Sequence, residues 1–415
     1  MKTLTIEMKG LMIDATITLP PSKSISNRAL IIQALCENSI KIRNLSNATD
    51  TITLQDILKK INKGKETMFD AKDGGTTFRF LTSYLAFMPG KWVLTGSERM
   101  MQRPIAPLVN VLRQLGAEIN YKGNENFAPL EIIGGKMVGG KATIDASVSS
   151  QFISSLLMIA PMLENGLELK MDSHIVSRPY IKMTISMMEY FGIMVTVTDN
   201  TIKILKQDYK PRNITIEPDW TAAYYWYEIL AFHQQGTILL KGLKEDSWQG
   251  DISLHPTFKK LCVETKFNKK GVEIQFIRRP KAAQGISETF INMPDLAPTL
   301  FATCAGCNIE GIFWGLDTLK DKESNRLEAC RMELEKFGVE TELTIRNTLY
   351  IKKGNKKPKH PVVINTYNDH RMAMAFACLC IPFGKLIIQN PDVVNKSYPS
   401  FWNDLKSVGF EIIEN

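Results

Sequence analysis

The chain has 415 residues, 44% of them hydrophobic and 23% charged, and its formal net charge is +8 at pH 7. This length exceeds that of one ordinary domain and the composition suits a globular protein, so two domains with full cores are expected. No apolar run approaches the roughly 18 residues of a membrane span. The opening stretch "MKTLTIEMKGLMIDATITLP" also lacks the uninterrupted apolar region of a signal peptide. These features predict a cytoplasmic protein.

The seven cysteines are too scattered to indicate a disulfide framework. Cys304 and Cys307 form a CxxC pair, but the sequence shows no second Cys/His pair nearby and no metal-binding spacing among its five histidines. We therefore favour a packed helix end over a zinc or redox site at this pair. The densest basic run, "KKGNKKPKH" at residues 352–360, has no interleaved aromatic residues and is predicted to be a solvated loop rather than a nucleic-acid patch.

A pattern of amphipathic helix end, punctuating residue and alternating strand recurs along the chain. The segments are "LRQLGAEINY", "MEYFGIMVTV", "FKKLCVETKF", "LEKFGVETEL" and "LKSVGFEIIE", with a weaker copy near Gly64. The punctuating residues are Gly116, Gly192, Cys262, Gly338 and Gly409, at intervals of 70 to 76 residues. Glycine can take the left-handed conformation that turns a helix end into a strand, so Cys262 predicts a different ending for its copy. Six copies predict an α/β protein of six similar units grouped into two domains.

Polar clusters interrupt this pattern where apolar helices are predicted to begin. The first half of the chain contains "PSKSISNRAL", "DGGTTFRFL", "SERMMQRPI", "ASVSSQF" and "VSRPY". In the first cluster, Lys23, Ser24 and Arg28 surround a helix start whose cap needs only one of these residues. Because helix N-termini favour anions, a phosphate or carboxylate site is predicted there rather than a bare cap. For Arg99 and Arg103 in the third cluster, an exposed loop remains the alternative.

Three stretches of the second half add acidic residues. "NMPDLAPTLF" places Asp295 between prolines at a predicted strand end, and "NTYNDHRMAMAF" places a polar cluster at the head of a helix. "LKDKESNRLEACRMELEKFG" predicts a helix whose buried stripe is Leu327, Cys330, Leu334 and Phe337. Glu323 then lies over the inward face at the start of this helix, with surface ion pairing as the alternative.

Together these clusters place basic side chains, hydroxyl groups and helix starts at equivalent positions of successive copies. That combination is typical of a site for small substrates with several negative charges. Asp295 and Glu323 are unusual in such a site, because carboxylates next to phosphates are unfavourable unless they transfer protons. Both are therefore candidates for proton transfer.

Five blocks of the sequence resemble the signature blocks of the 5-enolpyruvylshikimate-3-phosphate (EPSP) synthase family of enolpyruvyl transferases. They are "PSKSISNRA", "SVSSQF", "VSRPYI", "KESNRL" and "TYNDHRMAM", in the order of the family and spread over residues 20–400. The resemblance implies an α/β fold of two domains, each of three βαβαββ-like repeats, the enolpyruvyl transferase inverse α/β barrel. It implies one domain at 21–216, on the side of shikimate phosphate. The second, discontinuous domain at 1–20 and 217–415 would carry the proton-transfer residues.

The resemblance also implies an activity. The family transfers the enolpyruvyl group of phosphoenolpyruvate to the 5-hydroxyl of shikimate 3-phosphate and releases phosphate, a step of chorismate and aromatic amino-acid biosynthesis. It uses no metal or organic cofactor. For this chain the resemblance implies a monomer that closes on these two small-molecule substrates, without nucleic-acid or membrane partners.

The matching blocks imply a role for each site residue. Asp295 would orient and deprotonate the attacking hydroxyl, and Glu323 would protonate the methylene carbon, assisted by Lys23 or Lys322. The positions that match shikimate 3-phosphate ligands are Ser24, Arg28, Ser149, Ser150, Gln151, Ser177, Tyr180, Asp295 and Lys322. The positions that match phosphoenolpyruvate ligands are Lys23, Gly75, Arg103, Gln151, Arg326, Arg371 and Lys396. Asp369 and His370 fall in the same blocks as supporting residues.

The chain departs from the family pattern at three positions. Asp73 stands where the family usually has Asn, Phe80 where it usually has Pro, and Thr318 where it often has Asn. A carboxylate at position 73 would weaken phosphoenolpyruvate binding by charge repulsion unless it points away from the site. None of the three departures removes a candidate for proton transfer.

Two other functions fit parts of the pattern. The sister family, UDP-N-acetylglucosamine enolpyruvyl transferase, carries a Cys before an Arg-Pro in a mobile loop, and the corresponding stretch "GSERMMQRPI" has none. A non-catalytic protein that binds polyanions would use the basic surface, but it gains nothing from Asp295 and Glu323 in its pocket. Enolpyruvyl transfer to shikimate 3-phosphate is therefore the main prediction.

Overall fold

The computed structural model describes residues 2–10, 13–36, 40–64, 66–278 and 285–415. The chain forms two compact units. Unit 1 comprises Met1–Pro20 together with Glu217–Asn415, and unit 2 comprises Pro21–Ile216. Unit 1 is therefore discontinuous in sequence, and the chain leaves it after Pro20 and returns to it at Glu217.

The helices of the described residues mostly begin directly after the polar clusters of the sequence. The α-helices are α1 (Lys23–Leu35), α2 (Thr49–Lys63), α3 (Gly75–Phe87), α4 (Glu98–Met101), α5 (Ala106–Gln114), α6 (Ser150–Ile159), α7 (Arg178–Tyr190), α8 (Trp220–His233), α9 (His255–Lys260), α10 (Ala297–Gly306), α11 (Arg326–Glu335), α12 (His370–Ala377), α13 (Cys380–Phe383) and α14 (Phe401–Ser407). Short 3-10 helices lie at Ala160–Met162, Gly250–Leu254, Pro294–Leu296, Asp317–Asp321 and Pro391–Lys396.

The strands are short and alternate with these helices. They are β1 (Thr3–Met8), β2 (Asp14–Ile17), β3 (Ile42–Arg43), β4 (Met68–Asp70), β5 (Gly90–Thr95), β6 (Glu118–Tyr121), β7 (Leu130–Gly134), β8 (Gly140–Ile144), β9 (Leu167–Met171), β10 (Thr196–Thr198), β11 (Thr201–Ile204), β12 (Ile214–Thr215), β13 (Thr237–Lys241), β14 (Val263–Asn268), β15 (Gly271–Phe276), β16 (Gly285–Thr289), β17 (Glu310–Trp314), β18 (Thr341–Leu343), β19 (Leu349–Ile351), β20 (Val362–Ile364), β21 (Leu386–Gln389) and β22 (Phe410–Glu414).

The strands of the described residues form five sheets with one common pattern and a sixth, shorter sheet. The five are β4-β5-β7-β6, β8-β9-β11-β10, β2-β13-β15-β14, β16-β17-β19-β18 and β20-β21-β1-β22. In each, the first two strands are parallel and the later neighbours are antiparallel. The sixth sheet is the parallel pair of β3 and β12. The predicted α/β class with six similar units is therefore confirmed.

One expectation about the repeat is wrong. Gly116, Gly192, Gly338 and Gly409 take positive φ angles of 67° to 101°, as a left-handed helix end requires. Cys262, which was expected to end its copy differently, has a φ of 67° and ends it in the same way. The reason is that α9 must reverse into β14 at this point whatever residue stands there. A side chain in this conformation costs roughly 1–2 kcal/mol, which burial of the thiol in the core of unit 1 partly offsets.

The helices occupy the interior of each unit, and the sheets have an outward face. In unit 1 every residue from Trp220 to Phe232 of α8 is buried, and so is the whole of α12. A helix that is apolar on all sides needs neighbours on all sides. Strand β17 instead alternates exposed and buried residues, as expected for a sheet with one solvated face.

The CxxC pair lies at a helix end, as the sequence predicted. All seven cysteines are free, and both Cys304 and Cys307 lie at the end of α10. In the ranges given above, none of the helices combines the length and apolar character needed to span a bilayer. The same ranges hold no group of three or more His, Cys, Asp or Glu side chains placed to bind a metal ion.

Candidate active site

Asp295 in unit 1 is bound by three basic side chains. It lies in the 3-10 helix Pro294–Leu296 that leads into α10, where the sequence had suggested a strand end. Its Oδ1 accepts a hydrogen bond from Arg326 Nη1 at 2.8 Å and lies 3.5 Å from Lys322 Nζ. Its Oδ2 accepts from Arg371 Nη2 at 2.7 Å. One carboxylate thus connects residues from three separate polar clusters of the sequence.

Arg326 is the centre of this arrangement. It is the first residue of α11, and its side chain is only 1% exposed. Besides Asp295, its guanidinium bonds Glu323 Oε2 at 2.5 Å and Asp369 Oδ2 at 2.7 Å. Burial acts to lower the pKa of Arg326, but the charges of these three acids outweigh it and raise the pKa above its ordinary value. The guanidinium is therefore permanently charged, and the three acids balance its charge.

Glu323 lies between two cations. Its Oε2 bonds Arg326, and its Oε1 lies 3.3 Å from Nζ of Lys396, the last residue of the 3-10 helix Pro391–Lys396. The sequence had placed Glu323 over the inward face at the start of a helix, whereas Glu323 lies three residues ahead of α11. Residues 322–325 are irregular, Asn325 caps α11, and Arg326 reaches back three positions to the carboxylate. A helix would have directed Glu323 along its own surface, whereas the irregular turn lets it meet Lys396 from a distant segment.

The N-cap residue of α12, Asp369, bonds Arg326 of the cluster. Tyr367 and Asn368 both have left-handed backbone conformations, with φ of 52° and 56°. Two such residues in succession are costly and are tolerated mainly at functional sites. These two residues precede Asp369, which caps α12. The Asp369 carboxylate accepts hydrogen bonds from the Arg371 amide at 2.9 Å and from the Ser324 hydroxyl at 3.2 Å. His370 is buried beside Asp369.

The charges around Asp295 favour its ionised form. Burial acts to raise the pKa of Asp295, but Arg371, Lys322 and Arg326 outweigh it and hold the pKa well below its ordinary value. Asp295 is therefore a weak base until some of those positive charges are neutralised. An anionic ligand that occupies the arginines would do so.

In unit 2, the polar cluster at the start of α1 surrounds a buried arginine. Ser22 caps the helix, and Lys23 Nζ pairs with Asp50 Oδ2 at 3.0 Å. Arg28 donates to Thr184 Oγ1 at 2.7 Å, to the Ser24 carbonyl at 2.9 Å, and to two further neutral oxygens described below. Burial lowers its pKa to about 10, so it remains charged at neutral pH.

Gly75, at the start of α3, is packed against the end of an arginine. A Cβ atom at this position would lie 2.8 Å from Arg103 Nη1 and 3.0 Å from its Nη2. Arg103 is 7% exposed, so the exposed-loop alternative for it is wrong. Asp73, two residues before α3, accepts a hydrogen bond from the Ser97 hydroxyl, which caps α4.

The starts of α6 and α7 carry the hydroxyl groups predicted to bind phosphate. Ser149 caps α6 by accepting from the Gln151 amide at 3.2 Å, and Ser150 is buried behind it. Gln151 Oε1 is buried and has no hydrogen-bond partner within the part of the chain that the structure describes. Ser177 precedes α7 with a left-handed φ of 52° and is 6% exposed. An unsatisfied carbonyl and a strained serine at neighbouring helix starts are typical of a ligand site.

The structure brings some of the predicted residues together and leaves others separate. One bonded cluster in unit 1 contains Asp295, Lys322, Glu323, Arg326, Asp369, Arg371 and Lys396. In unit 2, contacts join Ser24, Arg28 and Tyr180 in one group and Gly75 with Arg103 in another. The sequence analysis missed Asp50, Ser154 and Thr184. No short-range pattern marks these residues, which become partners of the site only through folding.

A family model and the sequences of related proteins both match this chain over nearly its whole length. The family described as EPSP synthase (3-phosphoshikimate 1-carboxyvinyltransferase) matches residues 8–405. A protein named 3-phosphoshikimate 1-carboxyvinyltransferase from Bacteroides fragilis (strain YCH46) is 44% identical over 403 residues, which cover 96% of either chain. A protein of the same name from Buchnera aphidicola subsp. Cinara cedri is 34% identical over 422 residues, with 95% of either chain covered.

Solved structures share the fold. An EPSP synthase from Acinetobacter baumannii superimposes with a TM-score of 0.77 over 100% of either chain, at 19% sequence identity. A second structure of EPSP synthase from that organism gives a TM-score of 0.75 at 18% identity and covers 99% of either chain. At these identities the superpositions establish the two-domain architecture.

Proposed function

This chain belongs to the EPSP synthase family, and on that basis we propose that it transfers the enolpyruvyl group of phosphoenolpyruvate to the 5-hydroxyl of shikimate 3-phosphate and releases phosphate. Both substrates are small anions. The reaction changes no overall oxidation state, so proton transfer and charge stabilisation are what the protein has to supply. No metal or organic cofactor is required for those steps.

The observation that carries the proposal is the pair of carboxylates in unit 1 that share one arginine. Asp295 and Glu323 both bond Arg326, and each also contacts a second cation, Arg371 or Lys396. A protein that only bound anions would gain nothing from placing acids on its cations. Phosphoenolpyruvate carries a carboxylate and a phosphate that can replace these acids on the basic side chains, which leaves the acids next to the reacting groups.

Asp295 acts as the base in this proposal. In the ligand-free protein its pKa is held low by Arg371, Lys322 and Arg326, so it accepts a proton poorly. Substrate anions that bind Arg371 and Arg326 neutralise part of this charge, and the effect of burial then raises the pKa. The base therefore becomes effective only when phosphoenolpyruvate is bound, and it can then take the proton of the 5-hydroxyl.

Glu323 acts as the acid. It donates a proton to the methylene carbon of phosphoenolpyruvate, and the positive charge that develops at the neighbouring carbon is captured by the 5-hydroxyl oxygen. Phosphate then leaves that carbon and takes up the proton that Asp295 had accepted from the hydroxyl. The new methyl group returns a proton to Glu323, so the double bond is restored in the product and both acids regain their starting states. Lys396 and Arg326 stay within reach of the carboxylate and stabilise its charged form between the two steps. Lys322 and Lys23 are proposed to assist.

Unit 2 is proposed to bind the phosphate and ring hydroxyls of shikimate 3-phosphate. Ser149, Ser150, Ser177 and Gln151 stand at helix starts, where backbone amides and the helix dipole favour an anion. Arg28 adds a positive charge whose hydrogen-bond acceptors are all neutral. This contrasts with Arg326 of unit 1, whose acceptors are carboxylates, and supports Arg28 as a group that attracts an anionic substrate.

The remaining parts of the proposal concern assembly and location. We propose a monomer, as the resemblance to the family implies, and a cytoplasmic location, where the seven free thiols would stay reduced. Sedimentation of the purified protein tests the first point. A mass near 46.9 kDa is expected, and a stable dimer would contradict it.

The first experiment is phosphate release from the purified protein. Phosphoenolpyruvate and shikimate 3-phosphate are supplied separately and together, with UDP-N-acetylglucosamine as the alternative acceptor. Release is expected only when phosphoenolpyruvate and shikimate 3-phosphate are both present. Release with UDP-N-acetylglucosamine instead, or no release while shikimate 3-phosphate still binds, would overturn the proposed function.

A further inference from the structure

A layer of buried side chains lies about one helical turn behind the helix starts that carry the candidate site of unit 2. Its members are Arg28 of α1, Phe80 of α3, Ser154 of α6 and Thr184 of α7. Each is at most 2% exposed. Three of them follow a candidate ligand of shikimate 3-phosphate (Ser24, Ser150 or Tyr180) by four positions, and Phe80 follows Gly75 by five. Four positions are about one turn, so Arg28, Ser154 and Thr184 each lie about one turn beneath a candidate ligand on the same helix.

Arg28 connects the four helices through this layer. Its Nε donates to Thr184 Oγ1 at 2.7 Å, and its Nη2 donates to Ser154 Oγ at 3.1 Å and lies 3.2 Å from the Tyr180 carbonyl. The Thr184 hydroxyl lies 2.9 Å from Ser154 Oγ and from the Tyr180 carbonyl, either of which can accept its proton. The guanidinium carbon lies 5.4 Å from the centre of the Phe80 ring, within the range of a cation–π interaction.

The layer gives a physical account of Phe80. Proline, the usual residue of the family at this position, has no aromatic face to offer a buried guanidinium. In this chain α3 begins with Gly75, a candidate ligand of phosphoenolpyruvate. The Phe80 ring of the same helix contacts Arg28, which also bonds the carbonyl of Ser24, a candidate ligand of shikimate 3-phosphate. The ring therefore ties the helix of one substrate to the helices of the other.

We propose that Arg28, Phe80, Ser154 and Thr184 form a positioning layer that sets the relative placement of four helix starts, and that Thr184 and Phe80 thereby determine the affinity for shikimate 3-phosphate without touching it. This inference rests on the proposed function. Arg28 is the member that the family pattern assigns to shikimate 3-phosphate, and its guanidinium also bonds the carbonyl of Ser24 at the helix start. Ser154, Thr184 and Phe80 are buried behind the helix starts and act through Arg28.

The test compares two threonine-to-valine variants of equal size and burial. Thr184→Val removes the hydroxyl that Arg28 bonds, whereas Thr82→Val removes a hydroxyl of α3 whose one hydrogen bond among the described residues is to the Phe78 carbonyl at 2.8 Å. Losing a hydrogen bond to a charged group is expected to weaken shikimate 3-phosphate binding about 10- to 100-fold in Thr184→Val. Thr82→Val should bind it as the wild type does, although the unfolding midpoint of both variants falls. Thr184→Ser should restore the affinity.

A second pair tests the aromatic contact and remains available if Thr184→Val does not fold. Phe80→Leu removes the ring beneath Arg28, and Phe78→Leu makes the same change at an equally buried position of α3. We expect about a tenfold rise in KM for shikimate 3-phosphate in Phe80→Leu only, with kcat changed much less. If the two variants of either matched pair had equal affinities for shikimate 3-phosphate, the proposed role of the positioning layer would be contradicted.

The readouts separate this inference from the proposed function. Binding of shikimate 3-phosphate alone is measured by calorimetry, and turnover by phosphate release. A wild-type protein that binds shikimate 3-phosphate but releases no phosphate contradicts the proposed transferase function and leaves the comparison of variants intact. Failure of the wild type to bind shikimate 3-phosphate overturns the layer as well.

Discussion

Asp295 and Glu323 have the same functional group but different neighbours. Asp295 contacts three cations and has a strongly lowered pKa, whereas Glu323 lies between Arg326 and Lys396 near the end of a 3-10 helix. The sequence identified both acids as candidates for proton transfer, because carboxylates are out of place among basic clusters. It could not identify their partners, since Glu323 and Lys396 are 73 residues apart. Their catalytic roles stay predictions.

Glu323→Gln tests the role of the acid. Glutamine preserves the size and most hydrogen bonds of the side chain but cannot donate a proton to carbon, so we expect kcat to fall about 10²- to 10⁴-fold. Binding of shikimate 3-phosphate should persist. The matched control is Glu328→Gln, in the first turn of α11, whose carboxylate pairs only with Arg331 among the described residues. Near-normal turnover of Glu323→Gln would contradict its role.

Asp73→Asn tests a departure from the family pattern. Asp73 lies just before α3, and its carboxylate accepts a hydrogen bond from the Ser97 hydroxyl. Gly75, at the start of α3, packs against Arg103, and both are predicted to bind phosphoenolpyruvate. Asparagine keeps the hydrogen bond and removes a negative charge, so we expect KM for phosphoenolpyruvate to fall several-fold, with a smaller gain at high salt. An unchanged KM would show that the carboxylate points away from the site.

At the scale of the element, helix starts were the most predictable feature of the site. Helices α1, α3, α6, α7 and α12 all begin within the polar clusters recognised in the sequence. Local chemistry is sufficient there, because capping residues and following apolar runs lie next to each other in the chain. Prediction failed where the fold imposed a conformation. Cys262 adopts the left-handed turn of its glycine counterparts, and the residues before α11 leave the helix to bring Glu323 to Lys396.

Gly75→Ala tests whether the start of α3 holds Arg103 in place. The φ angle of Gly75 is not in the left-handed region, so alanine is compatible with the backbone. Its Cβ would approach Arg103 Nη1 to 2.8 Å, and the guanidinium must move. We expect KM for phosphoenolpyruvate to rise about tenfold or more, with little change in stability.

The control for this change is Gly123→Ala in the same unit. A Cβ there meets only an ordinary contact of 3.5 Å with Pro129. An unaltered KM for phosphoenolpyruvate in Gly75→Ala, or an equal rise in both variants, would argue against a specific role of Arg103.

At the scale of the whole molecule, the core of unit 1 contains a carboxyl group that the proposed mechanism does not use. Glu228 of α8 is fully buried, and neither of its oxygens has a hydrogen-bond partner among the residues described by the structure. Burial raises its pKa well above the ordinary value, and nearby Cys378 and Thr303 offset this only in part. The folded protein therefore keeps a proton on Glu228 at pH values where the unfolded chain has lost it.

Glu228→Gln tests this consequence. Because the folded state binds the proton more tightly, the free energy of unfolding falls as pH rises from the unfolded-state pKa of about 4.3 toward the raised pKa. For one proton the slope reaches at most about 1.4 kcal/mol per pH unit. Glutamine does not titrate, so the variant lacks this pH-dependent contribution to the free energy of unfolding. We expect the variant to be more stable than the wild type at pH 7.5, and its stability to depend less on pH between 5 and 8.

Urea unfolding at several pH values measures the difference. The pKa values of Asp251 and Glu217 are also raised by burial, that of Asp251 to about 7. Asp251 and Glu217 make the same contribution to the wild type and to the variant. The difference between the two free energies of unfolding therefore reports on Glu228 alone. Parallel pH curves, or a variant less stable than the wild type at pH 7.5, would show that Glu228 is ionised in the folded protein.

The sequence by itself determined the class of fold, the repeat, the helix starts and the family, because each depends on residues close together in the chain. The family and fold assignments are confirmed. Only the tertiary structure decided which residues meet. Arg28 contacts Thr184 across 156 positions and Ser154 across 126, and Lys23 contacts Asp50 across 27. Such pairs leave no periodic trace in a single sequence, since they arise when helices pack side by side and bury their polar groups against one another.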